Sequence, residues 1–115
     1  MRGCRFRYGK YNARKTEYNG VVYDSGREAQ YAADLDLLLK SGQLARVDRQ
    51  VPFVFEMFGK KICKYIIDFK LTAPGGNVVY VDVKGFKTPV FNLKWKMFLA
   101  WLAEHEPEAS AMIQN

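Results

Sequence analysis

A helix, three consecutive strands and a second helix can be read in these 115 residues, and that order predicts an α/β domain over residues 20–115 behind a basic N-terminal arm of residues 1–19. Three observations carry the reading. Tyr65–Leu71 and Val78–Lys84 are rich in Val, Ile, Tyr and Phe around Ala73-Pro74-Gly75-Gly76-Asn77, which is turn composition, so the stretch reads as a β-hairpin. Ser25 with Glu28 three residues on is a capping box that opens a helix. Thr88 followed by Pro89 supplies a cap and a first-turn proline for another.

Taken in order, Met1–Asn19 interleaves Arg2, Arg5, Arg7, Lys10, Arg14 and Lys15 with Phe6, Tyr8, Tyr11 and Tyr18 and shows no sustained period. Cations among aromatics suit phosphate contact and base packing, while a loosely packed terminus is the plainer alternative for the first eight residues. Asn19-Gly20 is a tight-turn dipeptide between Lys15–Tyr18 and Val21–Tyr23, predicting a small hairpin. The first helix then runs from Ser25 to the stop at Lys40-Ser41-Gly42. Glu28, Ala32, Leu35 and Leu39 step by helical intervals and form the stripe expected to pack onto the sheet.

Leu44–Phe55 is the first long strand, with Pro52 suggesting an edge or a bulge. Phe58-Gly59-Lys60-Lys61 turns the chain into the Ile62–Leu71 strand. The second helix ends before Pro107 and carries two apolar stripes, one of Phe91, Trp95, Phe98 and Leu102 and one of Leu93, Met97 and Trp101. The first stripe suffices to cover a sheet, so the second is expected to meet either a partner chain or a longer course of the arm or tail. Ala109–Ile113 adds a short strand, and the lone His105 is assigned no role.

The totals bound the function. A chain of this length buries about two-thirds of the surface its unfolded form exposes, and 49% hydrophobic residues with 15% aromatics argue for a packed core. The net charge of +6 is uneven: residues 1–20 carry +5 and residues 61–103 carry +5, while 104–115 carry −3. Two basic blocks suit a polyanion such as nucleic acid, although solvated basic faces occur without one. No run approaches the roughly 18 apolar residues of a membrane span, and the N-terminus lacks a signal peptide's apolar core, so a cytoplasmic protein is expected. Cys4 and Cys63 show no metal-type spacing, and Cys63 reads as a small buried hydrophobe.

The chemistry concentrates on two acids. If Thr72 pairs with Val78, the ladder sets Lys70 opposite Tyr80 and Asp68 opposite Asp82, with Cβ atoms roughly 4.5–5.5 Å apart. Asp68 and Asp82 are the only acidic residues between Lys61 and Ala103, among seven lysines. Facing carboxylates call for a compensating charge, either Lys84 or a divalent cation, and hard oxygen ligands favour Mg²⁺ or Mn²⁺. The alternative is a pair of ordinary solvated charges at the hairpin's open end.

Asp68, then after thirteen residues Asp82-Val83-Lys84, resembles the D…(D/E)-x-K signature of the PD-(D/E)XK nuclease superfamily, although Ile67 stands where the superfamily's name has proline. The likeness covers about residues 20–105 and is greatest to small phage and archaeal-type Holliday-junction resolvases and related branched-DNA endonucleases. It implies a restriction-endonuclease-like fold, a mixed central sheet flanked by helices around an α-β-β-β-α core. It further implies a Mg²⁺-dependent endodeoxyribonuclease, with Mn²⁺ as a substitute, acting on branched or duplex DNA as a homodimer in the cytoplasm. Asp68, Asp82 and the Val83 carbonyl would hold the metal, with Glu28 a further or water-bridged ligand unless it only caps its helix. Lys84 would orient or deprotonate the attacking water. Arg14 and Lys15 in the arm, and Lys87, Lys94 and Lys96 near the second helix's start, are the candidate phosphate contacts. A nucleic-acid-binding module that keeps the fold without the activity is the alternative.

Overall fold

In the computed structural model, which describes residues 5–8 and 14–115, the chain falls into two compact units, Met1–Gln43 and Leu44–Asn115. The first unit holds strands β1 (Arg5–Tyr8), β2 (Arg14–Tyr18) and β3 (Val21–Tyr23) and helix α1 (Gly26–Lys40). The second holds β4 (Arg46–Met57), β5 (Lys60–Thr72), β6 (Val78–Val83), α2 (Pro89–His105) and β7 (Ser110–Gln114). The class is therefore α/β, with a mixed four-stranded sheet in the second unit: β4, β5 and β6 are antiparallel neighbours and β7 joins β6 in parallel.

In the first unit an antiparallel sheet of order β1-β2-β3 turns at Asn19-Gly20, both with positive φ (52° and 83°), as a two-residue hairpin requires. The region read as a basic arm thus contributes two strands. The reason lies in β2, where Thr16 and Tyr18 are buried while Lys15 is exposed, a strand alternation only a few residues long that charge obscured. Arg2, Cys4, Lys10 and Tyr11 lie outside the described residues. Helix α1 starts where expected: the Ser25 hydroxyl accepts a 3.1 Å hydrogen bond from the Glu28 amide. Its buried residues are Glu28, Ala29, Ala32 and Leu35, and within the unit it packs on β2 and β3.

The core of the second unit is aromatic. Phe55, Tyr65, Ile67, Tyr80, Phe91, Phe98 and Leu102 form one buried cluster between the sheet and α2. Helix α2 is capped by the Thr88 hydroxyl, which accepts from the Phe91 amide at 3.1 Å. Pro52 sits on β4, the sheet's outer strand, where proline is tolerated. Cys63 is half-buried against the cluster, as a small hydrophobe would be. No helix among the described residues is long and apolar enough to cross a membrane.

The second stripe of α2 departs from expectation. Met97 and Trp101 pack on the same core as the first stripe, with the Trp101 ring 4.9 Å from that of Phe53 and stacked on His105. Only Leu93 of that trio stays well exposed. Phe53 is the reason, because its ring on β4 packs against Tyr80, Phe98 and Trp101 and so gives the second stripe a place on the core. Trp101→Glu is therefore expected to lower folding stability by about 3 kcal/mol or more, seen as an earlier urea midpoint. A folded variant of unchanged midpoint with altered self-association would place Trp101 at a subunit seam instead.

Candidate metal and nucleic-acid site

The β5–β6 ladder runs in the expected register, Thr72 with Val78 and Lys70 with Tyr80, and its last pair is Phe69 with Val81. Asp68 and Asp82 would form the next rung, but the ladder stops one step short. The Asp68 carboxylate takes the backbone's place there, its Oδ2 accepting from the Val83 N–H at 2.9 Å. The two acids meet where the strands part, rather than as a paired rung.

A second irregularity aims at the same point. On β4, Gln50 lies between the pairs Arg49–Phe69 and Val51–Ile67, which puts it opposite Asp68, and it has a φ of 52°. That is left-handed backbone inside a strand, for a residue that is not glycine. Register places Lys70, not Phe69, on the face of Tyr80, yet Tyr65 and Ile67 join the Tyr80 cluster. The alternation of faces therefore breaks at Asp68, opposite Gln50. The Gln50 side-chain amide donates to Asp68 Oδ1 at 3.5 Å.

Asp82 is 1% exposed, a carboxylate in a nearly closed environment. The buried Tyr65 hydroxyl donates to its Oδ2 in a short hydrogen bond. Its Oδ1 is buried and, among the described residues, meets no N–H or hydroxyl donor, although the Asp68 and Asp82 carboxyls share a hydrogen bond with each other. A buried carboxylate oxygen without a partner is costly unless a cation or a shared proton answers it. Lys84 follows directly after β6: its amide donates to the Gln114 carbonyl at 3.0 Å, and its Nζ lies 5.0 Å from the centre of the Phe91 ring. The backbone bond to β7 and the aromatic face fix the lysine near the pair.

Burial and the Asp82 carboxylate push the Asp68 carboxyl up to about 8, against the opposing pull of the Val83 N–H and the Lys84 charge. Burial, with the Asp82 contact behind it, holds the Tyr65 phenol above its ordinary range. The Asp68 shift fixes a sign. Between its ordinary value of 3.8 and about 8 the folded chain keeps a proton that the unfolded chain has lost, so stability falls as pH rises through that window. In EDTA the urea midpoint is expected to be higher at pH 6 than at pH 8.5, and Asp82→Asn should flatten the difference. An equal slope in wild type and variant would contradict the pairing.

Among the described residues no three Asp, Glu, His or Cys side chains gather as a metal-holding group; Asp68 and Asp82 are a pair. Glu28 belongs to the other unit, where it is buried in the first turn of α1 with its amide on the Ser25 cap. Of the expected phosphate contacts, Lys15, Lys87 and Lys96 are exposed, and the Lys87 Nζ donates to Asn115 Oδ1 at 3.2 Å. Lys94 is half-buried and donates to the Lys64 carbonyl at 3.0 Å, which gives it a structural task. Arg14 begins β2, and its side chain lies outside those described.

Tyr65 and Gln50 were missed in the sequence. Tyr65 reads there as one more strand aromatic, and nothing in its spacing points to an acid seventeen residues on. The signal for Gln50 is a polar residue in an apolar strand opposite Asp68, but it becomes visible only once the register of β4 on β5 is known.

A family model described as "Protein of unknown function (DUF1064)" matches residues 8–108. No curated protein and no solved structure gives a match.

Proposed function

We propose that this chain, which belongs to the DUF1064 family of proteins of unknown function, is a Mg²⁺-dependent endodeoxyribonuclease that hydrolyses phosphodiester bonds of branched DNA. The observation that carries the reading is the buried Asp68–Asp82 pair, whose Asp82 Oδ1 meets no N–H or hydroxyl donor among the described residues. The donor set fits a hard divalent cation: two carboxylates and the adjoining Val83 carbonyl, all oxygen, with no thiol or imidazole in the group. The element order α1-β4-β5-β6-α2, with Asp68 on the second of the three strands and Asp82 at the end of the third, supports a restriction-endonuclease-like core.

In this reading Asp68, Asp82 and the Val83 carbonyl would hold Mg²⁺ or Mn²⁺, and the superfamily resemblance would add Glu28 as a further or water-bridged ligand unless it only caps its helix. When bound, the cation polarises the scissile phosphate and acidifies a coordinated water. The chain's own residues do the rest. Tyr65 fixes the Asp82 carboxylate by holding one oxygen, so that the other would be available to a cation. The Val83 N–H fixes Asp68 in the same way. Lys84, two residues beyond Asp82 and just past the end of β6, orients the attacking water and offsets charge developing on the phosphate. Exposed Lys15, Lys87 and Lys96 supply sequence-independent phosphate contacts.

Two coordinated cuts in a four-way junction need two sites, so the proposal includes a two-fold homodimer. The test is a panel of four-way junction, fork, plain duplex and single-stranded DNA, with Mg²⁺ and with EDTA. Cleavage of branched substrates only with metal supports the reading. Binding throughout with no cleavage would leave a DNA-binding module.

A further inference from the structure

The β4–β5 hairpin ends in a feature that the metal site does not use. Only Phe58 and Gly59 connect the last pair, Met57 with Lys60, and both have positive φ, 52° and 75°. Such a two-residue turn favours Asn-Gly, because the left-handed region penalises any side chain branching close to the backbone, and a bulky residue there is an outlier. The turn nonetheless holds a phenylalanine. Packing does not explain it, since Phe58 is 96% exposed, the most exposed of the chain's large hydrophobic residues among those described.

Its surroundings suggest what the ring meets. Met57 and Ile62 beside it are more than half exposed, at 58% and 57%. Lys60, Lys61 and Lys64 on the returning strand are all exposed, with Glu56 the only acid between residues 55 and 67. This part of β5 pairs with β4 alone, because its pairing with β6 begins at Phe69. Beyond Phe55 and Cys63 the two strands therefore run as a ribbon past the core, with an aromatic at the tip and cations behind it. Single exposed apolar residues are ordinary on protein surfaces; what sets Phe58 apart is a bulky ring held in a left-handed turn position, with exposed Met57 and Ile62 near it and lysines behind. Aromatic rings on a basic element are how proteins hold unstacked bases, the ring stacking on the base while lysines take the phosphates.

We propose that the Phe58 tip is a stacking wedge for unpaired or unstacked bases, and that it gives the protein its preference for branched or single-stranded DNA over plain duplex. The inference rests on the reading that DNA is the partner, and it adds a recognition element independent of the Asp68–Asp82 chemistry.

The turn provides a clean test, because Phe58→Asn restores the favoured turn dipeptide and should leave the melting temperature unchanged or higher. Binding would be followed by fluorescence anisotropy in Ca²⁺ with a labelled four-way junction, a single strand and a plain duplex. Phe58→Asn is expected to weaken junction and single-strand binding about tenfold or more, to change duplex binding less than twofold, and Phe58→Trp should retain wild-type affinity. A 2-aminopurine at the branch point should be quenched by wild type and not by Phe58→Asn. Equal affinities for wild type and Phe58→Asn would overturn the wedge while leaving the nuclease reading intact. Unchanged DNA affinity with lost self-association in light scattering would make the tip a protein contact and also overturn it. Absence of DNA binding by the wild type would remove wedge and nuclease together.

Discussion

Asp82→Asn is expected to abolish metal-dependent cleavage, a loss of about a thousandfold or more, while DNA binding stays intact or tightens. The magnitude follows from removing a charged group that answers the metal in a water-poor site, where one such contact is worth roughly 10²–10³ in rate and where loss of the ion would remove the remainder. The direction of the binding change follows from charge, because one fewer buried carboxylate repels phosphate less. Folding gives the control. The asparagine can still accept the Tyr65 hydrogen bond that Asp82 accepts, and it relieves the like charge on Asp68. Thermal stability in EDTA should therefore be equal or higher. Wild-type cleavage by the variant would make Asp82 a buried structural charge.

Lys84→Ala is expected to slow the cleavage step by about 10²–10⁴ and to weaken DNA binding only a few-fold. General acid–base catalysis is worth roughly that range, whereas a single phosphate contact contributes one increment among several. The lysine stands on Phe91 and at the end of β6, and its charge is among the influences that lower Asp68. Single-turnover rates at saturating enzyme separate the two effects. Parallel losses in rate and affinity would assign Lys84 to DNA binding alone. Lys84→Arg keeps the charge with a different reach, so a slow but tight-binding arginine variant would point to position as the requirement.

Much of the frame was legible because it is set locally. The Asn19-Gly20 turn and the Ser25 and Thr88 caps each rest on a few adjacent residues whose backbone preferences decide the matter. The β5–β6 register was legible too, since the Ala73–Asn77 turn ties Thr72 to Val78. What stayed hidden depends on distant partners. β1 needs β2 beside it before Arg5–Tyr8 becomes a strand. Trp101 reads as surplus apolar surface until Phe53 is placed against it. The exact meeting of the acids depends on a ladder that ends at Phe69 and on left-handed Gln50 across from Asp68, and neither follows from hydrophobic spacing. The pair itself was legible as two lone acids among lysines; the hydroxyl of Tyr65 that completes it was not.

The nuclease reading depends on Asp68 and Asp82 together holding a divalent cation. Titration of Mn²⁺ followed by the electron paramagnetic resonance signal of the free ion tests it without DNA. Wild-type protein is expected to remove one Mn²⁺ per chain, competed by Mg²⁺, and the Asp68→Asn/Asp82→Asn double variant, folded by circular dichroism, to remove none. Equal uptake by the wild type and the folded double variant, or no uptake by either, would contradict the account.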